Sequence, residues 1–342
     1  MGKKELNKIE NFVFDKTRVY IGDTPYHLLI AIVKTILSHR VGKDIFVGLH
    51  QHYSPDILQN AKKIFKDTRS DYTRIGVLVN ILCFKFKQKI PFLKTKNCPL
   101  KQFFSGKEIF IFDDKFYLGC WLNNTKTFYT LIEDGLNCYK FAEHIKLKTK
   151  VYEFFFKILG ISWNYWGKSK YTKAVEVNEN KDLRFNHKNI IERNRAEMFN
   201  KLSREEINLI ASIFNYHPLK KQVDGEKTLL LTQPLSEDRD VSHTTKINIY
   251  KYLVKKYAIG TLYIKMHPRE KEDYTNVFPN AIILANQNLP FELIQLKENF
   301  HFKRVITTFS TAIDAVFCAD EKISMTPEWV RSFKKRSSEG FS

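Results

Sequence analysis

Glycine is scarce in this chain of 342 residues, with 13 in all and none arranged as GxGxxG or as a Walker-type loop. A phosphate cradle of bare backbone needs such glycines, so an NTPase and a dinucleotide enzyme are both disfavoured. Cysteine is scarce too. The five, Cys83, Cys98, Cys120, Cys138 and Cys318, are odd in number and no two have CxxC spacing. That argues against zinc and against a disulfide framework, and fits a reducing cytoplasm. Long hydrophobic runs are missing. The most apolar stretches, residues 28–37 and 152–161, are interrupted by Lys34 and Lys157 and fall short of a membrane span. The first six residues are polar and lead into no apolar signal core. Leu6 stands where a myristoylation pattern wants Ser or Thr. No low-complexity tract and no repeat of fixed period is found.

Acidic residues are in deficit, 37 against 56 Lys plus Arg, which leaves a formal charge of +19. Such a charge attracts polyanions: nucleic acid, an acidic membrane surface or anionic substrates. The basic residues are spread along the chain, no run resembles a basic tail, and no nucleic-acid-binding module is found. What the chain does have is apolar bulk, with 28 Phe and 43% hydrophobic residues. That is enough for a sizeable core, and the length suggests two domains.

The pattern along the chain is strand–helix alternation. Residues 19–21 read as a strand, Gly22-Asp-Thr-Pro25 as a turn, and Pro25 opens a helix to about Ser38. Strands follow at 44–48, 108–112 and 128–132, a helix is expected over 137–160, and 182–197 reads as a polar connection. In the second half, Ser203-Arg-Glu-Glu206 is a capping box. Strands are expected at 228–231, 261–266, 281–284 and 305–308, with helices at 244–257, 290–296 and 311–317. The expectation is an α/β protein of two Rossmann-like, doubly wound domains, 1–185 and 186–325, with a tail at 326–342 and the active site in the cleft between the domains.

Ligands of open α/β sheets bind beyond the carboxyl ends of the strands. Three strand ends of the second half carry polar groups there: Thr232-Gln233-Pro234, Lys265 through His267-Pro268-Arg269, and Thr307 through Ser310-Thr311. Histidine among cations, and hydroxyls at a helix start, suit an anion such as phosphate. His217-Pro218 repeats the dipeptide after a helix and reads as a helix stop. In the first half, Glu133-Asp134-Gly135 follows a strand. A carboxylate near its neighbour and partly desolvated has a raised pKa and can serve as a general base. Glu133 is nearer the strand end and is slightly favoured as that base, with Asp134 capping the next turn. Asp238-Arg-Asp240 is a DxD tripeptide in a polar loop, read as surface rather than metal site; Asp113-Asp114 is a weak candidate.

Glu133-Asp134-Gly135, His267-Pro268 and Ser310-Thr311, in that order, resemble the acidic, HP and Ser-Ser/Thr motifs of bacterial sialyltransferases. Thr24-Pro25 entering a helix and Leu231-Thr-Gln-Pro234 look most like glycosyltransferase family 52, over roughly residues 17–320. The resemblance implies a GT-B fold and an inverting transfer of sialic acid from CMP-sialic acid to a terminal galactose of lipooligosaccharide or capsule, alpha-2,3 linked. Glu133 or Asp134 would be the base, His267 would assist the leaving phosphate, and Thr232, Gln233, Pro268, Arg269, Ser310 and Thr311 would line the nucleotide site. No metal and no further cofactor would be needed. The acceptor would be a galactose-terminated oligosaccharide or lipid-linked glycan, with no nucleic acid partner and a homodimer allowed. The enzyme would be cytoplasmic, with peripheral contact at the anionic inner membrane face. The alternatives are transfer of another sugar, a non-catalytic scaffold and a polyanion-binding protein.

Overall fold

The computed structural model describes residues 16–49, 53–70, 72, 76–77, 81, 99–115, 117–134, 158, 161–162, 164, 166–181, 183, 187–218, 223–238, 240–284, 289–298, 300–313 and 316–337. The chain divides into two compact units, Met1–Ser203 and Arg204–Ser342. The expected boundary lay at 185/186. It falls later because a last strand, inside the stretch read as a polar connection, and a short helix that begins in it complete the first unit.

In the first unit the order is β1 (Arg18–Gly22), α1 (Pro25–Leu37), β2 (Ile45–Gly48), α2 (Pro55–Ala61), β3 (Asp67–Arg69), α3 (Pro99–Phe104), β4 (Glu108–Ile111), α4 (Tyr117–Asn124), β5 (Tyr129–Ile132), β6 (Thr172–Val177), β7 (Ile190–Glu192) and α5 (Arg195–Asn200). All pairings are parallel, in the order β3-β2-β1-β4-β5-β6-β7. Val19 pairs with Ile45 on one side and Ile109 on the other, so β1 is an interior strand. The chain runs outward through β2 and β3, then returns to the far side of β1 as β4. That reversal is the switch point where such sheets open a crevice at their carboxyl ends.

Helix α1 shows how local chemistry sets this up. Pro25 occupies its first turn, and Thr24 Oγ1 accepts from the His27 N–H at 3.2 Å. The His27 ring accepts in return from the Thr24 N–H at 3.4 Å, so histidine takes the usual Glu or Gln place of a capping box. From His27 to Ile36 every side chain is buried, with the aliphatic ones each stabilising by about 1.5–3 kcal/mol. Lys34, which interrupts the apolar run, is buried as well. It pairs with Glu176 of β6, whose other oxygen accepts from Arg195 Nη1 at 2.9 Å. These cations outweigh burial and bring the Glu176 carboxyl down to about 2.

The second unit repeats the plan. Its order is α6 (Arg204–Ile213), β8 (Lys227–Leu231), α7 (His243–Tyr257), β9 (Thr261–Lys265), α8 (Tyr274–Val277), β10 (Ile282–Ile283), α9 (Phe291–Glu298), β11 (Phe302–Thr307), a single 3-10 turn at Thr311–Ile313, β12 (Ala319–Ser324) and α10 (Pro327–Ser337). The sheet is again parallel, β10-β9-β8-β11-β12, and reverses between β8 and β11. Two expectations need correction. The helix expected at 311–317 begins as one 3-10 turn, and the expected tail contains α10, whose Val330 and Phe333 are buried. Phe333 meets the Tyr252 ring of α7 edge-on, with centroids 5.6 Å apart. The helix expected at 137–160 lies outside the described residues except for Ile158.

Candidate active site

The first switch point carries an acidic cluster around one histidine. Gly22 ends β1, and a Cβ there would lie 2.6 Å from the His27 Cβ, so only glycine lets α1 start this close to the strand. His27 is fully buried, its ring stacked on Phe112 with centroids 4.5 Å apart at 13°. Nε2 lies 2.8 Å from Asp134 Oδ1, just beyond β5. Nδ1 lies 2.9 Å from Asp23 Oδ1 and 3.1 Å from the Asp23 N–H. Burial disfavours the imidazolium, but the charge of Asp134, its hydrogen bond and Asp23 outweigh it and lift the ring to about 9. The Asp23 N–H opposes a proton on Nδ1. Asp23 Oδ1, buried without a hydrogen bond, favours one. The Nε2–H bond to Asp134 exists in either state.

Asp113, beyond β4, completes the cluster. Burial, then the charge of Asp134, push its carboxyl up to about 8. Its neighbour Asp114 is different. It accepts from the N–H groups of Trp166 and Gly167 at 2.6 and 3.0 Å and from the Tyr129 hydroxyl at 2.9 Å, which ties a loop to the sheet.

Glu133 and Asp134 part company here. Glu133 is buried, and its Oε2 accepts from the Asn178 N–H at 2.5 Å. Asn178 Oδ1 in turn accepts from the Arg195 N–H at 2.8 Å, so Glu133 joins β5 to the turn that leads into α5. The Asp134 side chain keeps 29% of its surface in solvent. Between the two, Asp134 is the carboxylate a substrate can reach. Gly135 lies outside the described residues.

At the second switch point the groups are cationic and hydroxylic. His267 leaves β9 with its N–H donating to Glu270 Oε2 at 3.1 Å and Thr232 Oγ1 at 3.3 Å. Its Nδ1 accepts from the Arg269 N–H at 3.1 Å, which puts the proton of the neutral ring on Nε2. Burial, then the charge of Arg269, lower this imidazole to about 4. Lys265 is buried, which lowers its ammonium to about 8 against the attraction of Glu292. Pro268 and Arg269 are exposed, and Arg269 forks onto Asp238, with Nη2 to Oδ2 at 2.9 Å. Asp238 of the DxD tripeptide is therefore engaged by a guanidinium. Thr232 is buried and donates its hydroxyl to Glu270, and the Gln233 N–H donates to the Tyr250 hydroxyl at 2.6 Å. Ser310 is buried, with Oγ accepting from the Ala312 N–H at 3.2 Å, and Thr311 opens the 3-10 turn. His217 is exposed beyond α6, and Asn215, two residues past the helix end at Ile213, has φ 51°, so the helix stop read there is made by a left-handed asparagine before the proline.

Two residues here escaped the sequence reading. His27 lies within an apolar helix pattern, and its one signal is the Gly22-Asp-Thr-Pro turn just before it. Glu270 looks like surface charge but is buried. It accepts from Thr232, from the His267 N–H and from the Tyr274 hydroxyl at 2.8 Å, and it lies 3.7 Å from the buried ammonium of Lys246.

Two parallel, doubly wound sheets with polar strand ends at both reversals define the GT-B class of fold. The solved structures agree on that fold. A 2,6-sialyltransferase of Photobacterium sp., in complex with CMP and lactose, matches with TM-score 0.55 at 12% identity, covering 90% of this chain and 71% of that one. A UDP-GlcNAc 2-epimerase of Neisseria meningitidis bound to UDP-GlcNAc matches with TM-score 0.50 at 11% identity, covering 95% and 91%. In sequence, the profile of glycosyltransferase family 52 matches residues 79–324, and the chain belongs to that family. An uncharacterized protein of Haemophilus influenzae is 47% identical over 88 residues, a match spanning 26% of this chain and 28% of the relative. Among the described residues no helix is long and apolar enough to cross a membrane, and no group of His, Cys, Asp or Glu could hold a metal ion.

Proposed function

We propose that this chain is an inverting glycosyltransferase that moves sialic acid from CMP-sialic acid to a terminal galactose of a bacterial surface glycan. The observation that carries the reading is Asp134, a partly exposed carboxylate on a strand end of a family 52 chain, held by His27. The order of the acidic, HP and Ser-Thr motifs supports sialic acid as the sugar. So does the Photobacterium enzyme of the same fold, captured with CMP and lactose.

The chemistry is one in-line displacement. The acceptor oxygen attacks the anomeric carbon of the donor sugar and gives its proton to Asp134. The bond from that carbon to the phosphate oxygen breaks, and the electron pair leaves with CMP. His267 meets that oxygen through Nε2–H, first as a hydrogen-bond donor. The phosphate's negative charge raises the imidazole from its low value, so the ring can also supply a proton. Ser310, with the N–H groups of the turn at Thr311, and Arg269 with Pro268 border the phosphate site. Thr232 and Gln233 shape its wall through Glu270 and Tyr250.

Base and leaving-group roles are thus filled by side chains, and the proposed reaction proceeds without a metal. The charge of +19 would concentrate the anionic donor and favour the anionic inner face of the membrane, where lipid-linked acceptors are found. The test is release of CMP from CMP-sialic acid with and without galactosides. Release stimulated by a galactoside supports the reading. No release, with turnover of a different nucleotide sugar, would replace sialic acid while keeping the class.

A further inference from the structure

His27 belongs to none of the strand-end motifs, yet it is fully buried and held from several sides at the first switch point. Four elements converge on it: the turn after β1 through Asp23, its own helix, Phe112 at the end of β4, and Asp134 after β5. The ring has no freedom to rotate. Phe112 lies flat on one face, Gly22 lets the Cβ approach the strand, and the Asp23 and Thr24 N–H groups point at Nδ1. Nε2 is therefore aimed at Asp134 Oδ1 by backbone geometry, with or without a charge on the ring.

Resting on the proposed transfer reaction, we propose that His27 is the positioning residue of the base. Its Nε2–H fixes Oδ1 of Asp134, and Asp23 steadies the ring from the opposite side. A carboxylate on a strand-to-loop junction would otherwise sample several rotamers. A fixed donor holds one of them and sets which edge of the carboxylate meets the acceptor hydroxyl. It also keeps Asp134 ionised beside the Asp23 carboxylate and the buried Asp113. The titratable groups facing this pair are Asp23, Asp113 and the Tyr53 phenol, whose hydroxyl donates to the Thr24 carbonyl at 2.7 Å. Removing the imidazole takes away the cationic partner of Asp134, so its proton affinity should rise.

The experiment compares wild type with His27→Phe, which keeps a flat ring for Phe112, and with His27→Gln, which keeps a donor. Three quantities are read: kcat for transfer from CMP-sialic acid to lactose, affinity for CMP, and the acid limb of the pH–rate profile. Misplacement of a reacting group by about 1 Å costs on the order of 100-fold, so His27→Phe should lose about 10- to 100-fold in kcat. CMP affinity should stay within about twofold, and the acid limb should move up in pH. His27→Gln should recover part of both. A His27→Phe enzyme with wild-type kcat and an unmoved acid limb overturns the proposal. Should that variant not fold, a His27→Gln enzyme with wild-type kcat and an unmoved acid limb overturns it equally. A second measurement needs no turnover: the His27 ring, followed by NMR, should titrate lower in Asp134→Asn than in wild type. An unchanged titration also overturns the proposal. If wild type releases no CMP from CMP-sialic acid, the donor reading fails, and the NMR result still decides whether His27 and Asp134 are coupled.

Discussion

The two switch points share a topology and have opposite chemistry, and their histidines show it most clearly. His27 and His267 both follow the carboxyl end of an interior parallel strand. The first sits among Asp23, Asp113 and Asp134 and is raised to about 9. The second sits beside Arg269 and Lys265 and is lowered to about 4. The same side chain is thus drawn toward the cation at one site and kept neutral at the other. An acidic site suits removal of a proton from a sugar hydroxyl. A cationic site with hydroxyls suits a phosphate. The fold supplies two equivalent places, and the loops decide the sign of each.

The sharpest way to break the comparison is Asp134→Asn. A positioned base is worth about a hundred- to ten-thousand-fold, so the rate should fall by that factor while CMP still binds. Full activity in that variant would move the base elsewhere in the cluster. His267→Ala should cost about 100-fold and weaken CMP binding as well, because the lost donor belongs to the nucleotide side. A loss confined to folding, read by thermal melting, would make His267 a loop residue only.

The pH dependence of stability should differ in sign between the two histidines. His27, raised in the folded state above its unfolded value of about 6.5, contributes stability that is complete below that pH and lost as pH climbs through about 9. The amount is on the order of 3 kcal/mol. His267, lowered in the folded state, contributes stability that is complete above about 6.5 and lost as pH falls toward about 4. Two imidazole resonances titrating at these opposite extremes would confirm the contrast, and both titrating near 6.5 would erase it. Glu133→Gln should cost about 1–3 kcal/mol in stability, since a buried anchor loses its charge, with little change in the rate of folded enzyme. A large rate loss at unchanged stability would return the base role to Glu133. The smallest expected effect is that of EDTA, which should leave turnover unchanged. Strict dependence on a divalent ion would bring Asp238 and Asp240 back as ligands.

Interior strands other than β6 were readable because they are buried on both faces, whereas β6, Thr-Lys-Ala-Val-Glu-Val, mixes charged residues into its apolar run. β1, β2, β8 and β9 appear in the sequence as short apolar runs, and their parallel pairing follows from the helices between them. Of the edge strands only β10, an Ile-Ile pair, was readable. β3 is Asp-Thr-Arg and β12 is Ala-Asp-Glu-Lys-Ile-Ser, mostly solvent-facing, and such strands carry no apolar signature. The 3-10 turn at Thr311–Ile313 is shorter than the helix its composition suggested. The strand-end motifs were legible because turn chemistry and polar residues follow apolar runs. The partners of those motifs were not. His27 meets Asp134 only because β1 and β5 flank β4, and Glu270 is buried only because the loop of His267 folds over it. Pairings of that kind depend on strand order, which no local pattern encodes. The lean to Glu133 rested on its place nearer the strand end, which is also nearer the core.

The distance along the chain between His27 and Asp134, 107 positions, has a consequence for biosynthesis. A ribosome adds about 5–20 residues per second, so α1 emerges roughly 5–20 s before the strand that carries its carboxylate partner. β4, the second neighbour of β1, is also some 90 positions away, since Arg18 pairs with Glu108. For that interval a mostly apolar helix, buried from His27 to Ile36 in the folded unit, has only the β1–β2 pair to lie against. The nascent first unit therefore presents a greasy segment to the cytosol, and yield should respond to chaperone supply and to translation speed across the codons for β2 through β5.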